Sequence, residues 1–268
     1  MRLRAILTDL DGTLLEPDGT LTVEARTALA QLAEHQVPVC PVTSKTVAEL
    51  AAFAASVPAP APAGFENGAG VVLPGGDVRL APRAVPLAEL RVALNALRRA
   101  TGAPARSIEE LDDRELGALT GLAGAALTQA RERLATLPLQ VDPVWDERLR
   151  AALAADSNVR LVRGNRFLHL QGRHDKADVA QTLIDLAGTS SGPIIACGDS
   201  SNDLELLARA DQAVIVPGSR GPHPNLVRAL PNARIAPWPH GRGWAAALLA
   251  LLAEPAPPGG EVDRGGAA

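Results

Sequence analysis

Apolar residues along the chain come in short runs that alternate between the spacing of a strand and that of a helix. Residues 5–7 form a run short enough for a buried strand, and residues 24–36 carry apolar side chains at helical spacing after a candidate N-cap at Thr22. The alternation returns near the other end, with a strand predicted over residues 194–197 and a helix over 203–210. This order is typical of a parallel α/β sheet covered by helices on both faces.

Further elements of the same kind complete the predicted sheet. They are strands over residues 37–42 and 213–216, and helices over residues 46–55 and 243–253. In sheets of this type ligands bind outside the carboxyl ends of the strands, so that edge is where functional residues are expected.

The middle of the chain has a different pattern. Long amphipathic stretches predict helices over residues 87–99, 109–119, 122–134 and 145–155, and short apolar runs predict strands over 139–141, 159–162 and 167–170. We therefore predict an α/β fold with a Rossmann-like parallel-sheet core (residues 1–82 and 173–254) and an inserted α/β cap (residues 83–172). Residues 57–63, rich in Pro and Ala, predict a stiff surface connection, and residues 255–268 predict a disordered tail.

The composition excludes several functional classes. Thirty acidic and 26 basic side chains give a net charge of −4, which provides no basic surface for a nucleic acid. Apolar runs stay shorter than the roughly 18 residues that cross a bilayer, and residues 1–12 lack the apolar region of a secretory signal. Two cysteines, Cys40 and Cys197, suit a reducing compartment, so we expect a cytoplasmic protein that binds neither membranes nor nucleic acids. The oligomeric state is not indicated.

A pair of acids follows the first predicted strand. Asp9 and Asp11 are two residues apart, so in an extended segment their side chains point to the same side. Two close carboxylates repel each other unless a cation or a shared proton relieves the repulsion. Hard oxygen donors with no neighbouring His or Cys favour Mg²⁺. The alternative is a polar strand end whose acids are simply solvated.

A second acidic group follows the strand predicted over residues 194–197. Asp199 comes at the end of this strand, and Asp203 lies in the first turn of the next helix, where an acid also interacts well with the helix dipole. N-capping alone would explain one of these acids but not four acids at the ends of two strands. Thr43 and Lys176 add a hydroxyl and an ammonium, which are the groups that phosphate binding needs.

In their order and spacing these groups resemble the four motifs of the haloacid dehalogenase superfamily of aspartyl-phosphate phosphatases. The matching residues are Asp9, Asp11, Gly12 and Thr13 in the first motif, Thr43 in the second, Lys176 in the third, and Gly198, Asp199, Asn202 and Asp203 in the fourth. The long interval between the second and third motifs resembles the branch of this superfamily in which an α/β cap is inserted at that point.

Within that branch the chain most resembles the mannosyl-3-phosphoglycerate phosphatase family. The similar segments are residues 42–46, 66–68, 119–122, 164–169, 175–176 and 243–244. Residues 134–139 depart from the family, because they lack the polar, acid-containing stretch expected there. The resemblance implies hydrolysis of mannosyl-3-phosphoglycerate. The alternatives are a phosphatase for glucosyl-3-phosphoglycerate or another sugar phosphate and, less favoured, a phosphomutase.

The superfamily resemblance implies a role for each acid. Asp9 would attack phosphorus and form an aspartyl-phosphate, and Asp11 would act as general acid and then general base. Mg²⁺ would be held by Asp9, the backbone carbonyl of Asp11 and Asp199. Asp203 would hold a metal-bound water or a backbone group.

The resemblance also implies which residues bind the small phosphorylated substrate. Thr43 and Lys176 would hold phosphoryl oxygens, and Asn202 would orient Lys176 or the phosphate. In the cap, Arg166 would bind a glycerate carboxylate bidentately and His169 would donate to a sugar hydroxyl or to phosphate. A surface charge and a hydrogen-bonded strand residue are the structural alternatives for these two. The core-side candidates share loops near the second motif: Lys45, Glu66, Asn67 and Gly68.

Overall fold

The computed structural model describes residues 3–154, 157–164, 166–187 and 191–254. The tail predicted over residues 255–268 lies outside the described residues, as does the last residue of the helix predicted over 145–155. Among the described residues, no helix is long and apolar enough to cross a membrane.

The secondary structure alternates between strands and helices through most of the chain. The strands are β1 (Ala5–Thr8), β2 (Val39–Pro41), β3 (Ala63–Phe65), β4 (Gly70–Val72), β5 (Val78–Leu80), β6 (Arg106–Ser107), β7 (Thr136–Gln140), β8 (Val159–Arg163), β9 (Leu168–Gly172), β10 (Ile194–Gly198), β11 (Gln212–Ile215) and β12 (Arg234–Ile235). The helices are α1 (Val23–Glu34), α2 (Val47–Ala54), α3 (Leu87–Thr101), α4 (Asp113–Thr120), α5 (Ala125–Arg131), α6 (Asp146–Ala151), α7 (Ala180–Ala187), α8 (Leu204–Arg209), α9 (Pro224–Ala229) and α10 (His240–Ala253).

Five parallel strands form the central sheet, in the order β12-β11-β10-β1-β2, which confirms the predicted parallel-sheet core. Successive residues of β1 face opposite sides of this sheet. Ile6 joins the apolar cluster that contains α1 and α10, whereas Leu7 joins the cluster of α7, α8 and α9. Because both faces are covered by helices, β1 is buried along its whole length and its carboxyl end is held in a fixed position.

A three-stranded antiparallel sheet, β3-β4-β5, was not anticipated from the sequence. Its strands have three residues each, which is too short for a periodic pattern to show. The segment predicted as a proline-rich connection ends at Ala63, where β3 begins. A bridge between Val42 and Gly64 joins this small sheet to the end of β2.

Residues 83–172 contain a separate antiparallel sheet, β6-β7-β9-β8, packed against α3 and α6. The apolar cluster beneath it is built from residues of this segment alone, among them Leu94, Leu137, Leu161 and Leu170. We call this segment the cap. The cap is therefore an α/β unit with its own core, joined to the central sheet at both ends.

The cap differs from the sequence prediction between residues 122 and 139. The helix predicted over residues 122–134 ends at Arg131, and β7 begins at Thr136 instead of residue 139. The backbone amides of Leu134 and Ala135 donate to the carboxylate of Glu66, at 2.7 and 3.0 Å. If the helix continued, these two amides would donate to carbonyls of the helix. They donate to Glu66 of the core instead, which explains why the helix stops early.

The indole of Trp244 on α10 is fully buried and donates to Thr8 Oγ1 at 3.0 Å. We expect Trp244→Phe to lower the free energy of unfolding by about 1–3 kcal/mol, because the smaller phenyl ring fills less of the buried site and a buried hydroxyl loses its donor. Urea unfolding measures this change. Trp238→Phe is the control, since that side chain is 47% exposed and its replacement should cost no more than about 0.5 kcal/mol. Equal costs for the two variants would contradict the importance of the buried bond.

Candidate active site

Two adjacent strands deliver the central acids of the site. Asp9 directly follows β1 and Asp199 directly follows β10, and these strands pair with Thr8 opposite Cys197. The backbone N–H of Asp9 donates to the Cys197 carbonyl at 2.9 Å, so the pairing continues to the loop. The predicted meeting of the first and fourth motifs at one edge of the sheet is thus present.

The ammonium of Lys176 lies between two carboxylates in the interior. Its Nζ is 2.7 Å from Asp9 Oδ1 and 2.6 Å from Asp203 Oδ1, and all three side chains are buried. Burial opposes the charge on Lys176, but the two carboxylates outweigh burial and hold the pKa of the ammonium above its usual value. Lys176 therefore stays protonated, and two of its three N–H groups point at these acids.

One ammonium does not neutralise three neighbouring carboxylates. Burial raises the pKa of Asp9 well above its usual value, Lys176 lowers it, and the charges of Asp203 and Asp199 raise it further. Burial and the charge of Asp203 raise the pKa of Asp199 to about 7, against the lowering effects of Lys176 and a hydrogen bond from Thr13. The cluster thus carries excess negative potential that a cation would relieve.

The donor set fits a hard divalent cation. One oxygen each of Asp9, Asp199 and Asp203 lies within 4.8 Å of the others, and no His or Cys belongs to this group. Carboxylate oxygens in a partly buried cluster are the ligands that Mg²⁺ takes in proteins. Three of the predicted metal ligands, Asp9, Asp199 and Asp203, thus lie together, whereas the Asp11 carboxylate does not belong to this group, and a metal ion at the cluster stays a prediction.

Asp203 has a further structural role in the loop that follows β10. Its Oδ2 accepts hydrogen bonds from the backbone N–H groups of Asp199 at 3.1 Å and Ser200 at 3.0 Å. A Cβ at Gly198 would lie 2.4 Å from the Asp203 Cβ, so only glycine permits this approach. Because both carboxylate oxygens have partners in the protein, Asp203 is placed to hold Lys176 and the loop in position.

The turn after β1 brings Asp199 close to the first motif. Gly12 has a φ of +84°, and a Cβ there would lie 2.8 Å from Asp199 Oδ2. Thr13 Oγ1 donates to Asp199 Oδ1 at 3.1 Å. Glycine is thus required at position 12, because the backbone there is left-handed and because Asp199 approaches it so closely.

Asp11 is the accessible carboxylate of the site. Its side chain is 49% exposed and its Oδ1 lies 2.9 Å from Nζ of Lys45, which also lies 3.8 Å from Glu49. Burial lowers the pKa of Lys45, but the charges of Asp11 and Glu49 outweigh burial and raise it above its usual value. Lys45, which was predicted to bind substrate, is therefore a permanent cation beside the acid predicted to transfer protons.

The second motif and two amide side chains line the same region. Thr43 is fully buried and its carbonyl accepts a hydrogen bond from the backbone N–H of Asn67 at 2.8 Å. Asn202 Nδ2 donates to Asn67 Oδ1 at 3.3 Å, and Asn67 Nδ2 donates to Gln171 Oε1 of the cap at 3.4 Å. Asn202 and Asn67 thus form a polar link from the fourth motif to β9.

Glu66 and Gly68, both predicted to bind substrate, serve the backbone in this structure. Glu66 is fully buried, and its carboxylate accepts hydrogen bonds from Leu134 N, Ala135 N and Thr136 Oγ1. Gly68 has a φ of +86°, and a Cβ there would lie 2.0 Å from the carbonyl oxygen of Asp175. The structure therefore places these two residues at contacts within the protein.

The two cap candidates occupy different places. His169 is partly buried, and burial together with Arg133 and Arg163 lowers the pKa of its ring to about 3, so the ring is neutral. Its Nδ1 is buried without a hydrogen-bond partner among the described residues. Being two residues from Gln171 on β9, His169 lies on the face of the sheet that meets Asn67.

Arg166 lies on the cap surface, in the connection between β8 and β9. Its side chain is exposed and its Nη1 donates to the Thr120 carbonyl at the end of α4, at 3.0 Å. Unlike Lys176, Arg166 does not contact the Asp9 cluster among the described residues. Its predicted contact with a substrate carboxylate stays a prediction.

Sequence reasoning missed His240 as part of the site. Its Nδ1 donates to the carbonyl of Gly12 at 3.1 Å, and its backbone has a φ of +51°, which is strained for a residue with a side chain. Gly12 and His240 are 228 positions apart, so no local pattern could have revealed the contact. His240 links the start of α10 to the turn after β1.

The comparison with protein families agrees with this geometry. A model described as haloacid dehalogenase-like hydrolase matches residues 6–83, a segment that contains Asp9, Asp11 and Thr43. A solved structure from Bacteroides thetaiotaomicron, described among phosphatases of the haloalkanoate enzyme superfamily, aligns with a TM-score of 0.71 and 20% identity over 93% of this chain and 94% of that chain. This similarity confirms the predicted fold class.

Two curated relatives are both named glucosyl-3-phosphoglycerate/mannosyl-3-phosphoglycerate phosphatase. The protein of Methanococcoides burtonii is 28% identical over 228 residues, which cover 79% of this chain and 84% of that protein. The protein of Persephonella marina is 27% identical over an alignment of 276 residues, which covers 97% of this chain and 98% of that protein. Taken with the family match over residues 6–83, these relatives show that the chain is similar to haloacid dehalogenase-like hydrolases and support a phosphatase.

Proposed function

We propose that the enzyme hydrolyses mannosyl-3-phosphoglycerate to mannosylglycerate and phosphate, with Mg²⁺ as cofactor and a phosphorylated Asp9 as intermediate. The observation that carries the chemistry is the buried cluster in which Asp9 contacts Lys176 beside Asp199 and Asp203. The printed names of the two relatives support the choice of a glycosyl-3-phosphoglycerate. Glucosyl-3-phosphoglycerate is the second candidate, because both names include it.

In this proposal the cation would be held by Asp9, Asp199 and the backbone carbonyl of Asp11, and Asp203 would not be a direct ligand. Asp203 belongs behind the direct ligands because its oxygens already accept from Lys176 and from two backbone amides. When bound, Mg²⁺ supplies positive charge that offsets the repulsion between a carboxylate and an approaching phosphate.

The chemistry divides between the two acids of the first motif. A carboxylate oxygen of Asp9 forms a bond to phosphorus as the bond from phosphorus to the sugar-glycerate oxygen breaks. Asp11 gives that leaving oxygen a proton, and its exposure gives it access to both substrate and water. In the second step Asp11 takes a proton from water, whose oxygen attacks phosphorus and releases phosphate from Asp9.

The phosphoryl group needs donors on its other oxygens. Lys176 has three N–H groups and uses two on Asp9 and Asp203, so one can point at the phosphate. Thr43, fully buried at the end of the second strand, adds a hydroxyl. Fixed donors of this kind stabilise the charge that develops as the phosphoryl group is transferred.

Recognition of the rest of the substrate falls to the core loops and the cap. Lys45 lies beside Asp11 and offers a cation to an anionic substrate, while Asn67 and Asn202 offer amide groups. In the cap, His169 has a neutral ring whose Nδ1 lacks a hydrogen-bond partner among the described residues, which suits a sugar hydroxyl. Arg166 is proposed to reach the glycerate carboxylate.

We also propose that the enzyme works in the cytoplasm. Cys40 and Cys197 are both free and buried, in the two strands β2 and β10 that lie on either side of β1. Burial raises the pKa of the Cys40 thiol to about 12, and burial with the charge of Asp203 raises that of Cys197. Both thiols therefore stay protonated, as inert packing groups of a reduced protein.

Asp9→Asn should lower kcat by roughly 10⁴-fold or more, because the amide removes the nucleophile from a covalent mechanism. Phosphate release from mannosyl-3-phosphoglycerate measures the loss, and circular dichroism checks the fold. Asp77→Asn, which makes the same change at an exposed position, should keep wild-type turnover. Near-normal turnover by Asp9→Asn would contradict the assignment of the nucleophile.

Mg²⁺ should stabilise the folded protein, because the acidic cluster exists only when the two loops are together. Free Mg²⁺ about 100-fold above its Kd should raise the free energy of unfolding by about 2.7 kcal/mol. Thermal unfolding with Mg²⁺, compared with K⁺ at the same ionic strength, measures the effect. Asp199→Asn should remove the response and Asp77→Asn should keep it. An equal response in the two variants would place the cation elsewhere.

Arg166→Ala should reduce kcat/KM for glycosyl-3-phosphoglycerates roughly tenfold more than for a hexose phosphate, because a charge-assisted bond to the carboxylate is lost. The two substrate classes differ in that carboxylate. Arg148→Ala, at an exposed position on α6, is the matched control and should change neither value. Equal losses with both substrates would exclude Arg166 as the carboxylate ligand.

A further inference from the structure

We propose that Glu66 is a positioning residue that sets the place of the cap over the catalytic loops, and that it does so through a contact we call the cap clasp. The cap clasp consists of the Glu66 carboxylate and its three donors, Leu134 N, Ala135 N and Thr136 Oγ1. By holding the cap in register, the clasp selects substrates whose recognition depends on cap residues. This inference rests on the proposed function in one respect, because its kinetic test uses a glycosyl-3-phosphoglycerate.

The clasp is a complete and buried contact. Glu66 Oε1 accepts from Leu134 N at 2.7 Å, and Oε2 accepts from Ala135 N at 3.0 Å and Thr136 Oγ1 at 2.7 Å. Glu66 and Thr136 are fully buried. A buried carboxylate that accepts three hydrogen bonds is strongly held, because every bond is charge-assisted. If one of these bonds broke, its buried donor would have no partner.

The backbone of the same turn holds the catalytic loops. The N–H of Glu66 donates to the carbonyl of Lys45 at 2.9 Å, and the N–H of Asn67 donates to that of Thr43 at 2.8 Å. The turn consists of three consecutive residues with positive φ, +46° at Glu66, +61° at Asn67 and +86° at Gly68. Two of them carry side chains, and such strained backbone persists where surrounding contacts determine it.

The clasp also lies where the cap joins the core. The carbonyl of Leu134 accepts from the N–H of Leu87, at the start of the first cap helix, at 2.8 Å. Arg133 Nη1 donates to Thr136 Oγ1 at 2.8 Å and to the carbonyl of Ser44 at 3.1 Å, between Thr43 and Lys45. Arg133 thus links the start of β7 to the loop that contains Thr43 and Lys45.

A change at the clasp would move the part of the cap that faces the substrate. Thr136 of β7 pairs with Gln171 of β9, and His169 lies two residues further along β9 on the same face. Gln171 is itself linked to Asn67 in the turn. Glu66 therefore acts on recognition through the strands that carry His169, while Asp9 and Lys176 keep their contacts within the core.

The test compares two clasp variants with a matched control. Glu66→Gln turns an NH₂ group toward backbone donors, and Thr136→Val removes one of the three donors and keeps the side-chain volume. Glu115→Gln is the control, because Glu115 also accepts a backbone N–H, from Asp112 at 3.0 Å, but lies on the cap surface. Each variant is assayed with mannosyl-3-phosphoglycerate and with p-nitrophenyl phosphate, which has no sugar hydroxyl or carboxylate for the cap to recognise.

We expect Glu66→Gln to lower kcat/KM for mannosyl-3-phosphoglycerate roughly 10- to 100-fold more than for p-nitrophenyl phosphate, because misplacement by about 1 Å has effects of this size. Thr136→Val should shift the ratio in the same direction by a smaller factor, and Glu115→Gln should leave it unchanged. If both clasp variants lower the two values by equal factors, Glu66 supports the fold alone and the proposal is wrong.

Hydrogen–deuterium exchange tests whether Glu66 holds the cap, and it needs no substrate. The amides of residues 132–137 should exchange roughly tenfold faster in Glu66→Gln than in the wild type, because charged acceptors are lost. Unchanged exchange there would overturn the clasp. If the wild-type enzyme releases phosphate from neither substrate, the proposed function fails, while the exchange result still decides whether Glu66 holds the cap.

Discussion

The burial of Lys176 between Asp9 and Asp203 is the interaction on which the site depends. A buried ammonium without partners would be strongly destabilising, so the first, third and fourth motifs must come together for the protein to fold around it. Lys176 does not neutralise the whole cluster, and burial with the charge of Asp203 raises the pKa of Asp199 to about 7 although Lys176 lowers it. The pairing thus stabilises the fold, and the carboxylates in excess of the single ammonium leave the negative potential that favours a divalent cation.

Close approach of the backbone is the second constraint. At Gly12 an added Cβ would meet Asp199 at 2.8 Å, and at Gly198 it would meet Asp203 at 2.4 Å. Gly12 lies in the loop that follows β1 and Gly198 is the last residue of β10, at the edge of the sheet where the acids converge. The site is compact because these two positions carry no side chain, and larger residues there would separate the carboxylates that the cation needs together.

Chemistry and recognition are assigned to different parts of the molecule. In the proposed mechanism the core supplies Asp9 as nucleophile at the end of β1, Asp11 as proton donor and the ammonium of Lys176, and the cap presents His169 from an antiparallel sheet with its own apolar core. The turn at Glu66 and Asn67 is bonded to both parts, through backbone groups to the second motif and through side chains to β7 and β9. Such a division lets related enzymes change substrate without changing the phosphoryl chemistry.

The sequence by itself was enough to predict the parallel sheet and the meeting of Asp9 with Asp199, because apolar runs mark the strands and carboxyl ends of adjacent parallel strands share one edge. It was not enough to find the β3-β4-β5 sheet, whose three-residue strands carry no periodic signal. The contacts of Glu66 could not be predicted from the sequence either, because its three donors lie 68 to 70 positions away along the chain. The acids of the site could be identified from the local sequence pattern. The role of each buried polar side chain depends on the tertiary structure, because its partners come from distant segments.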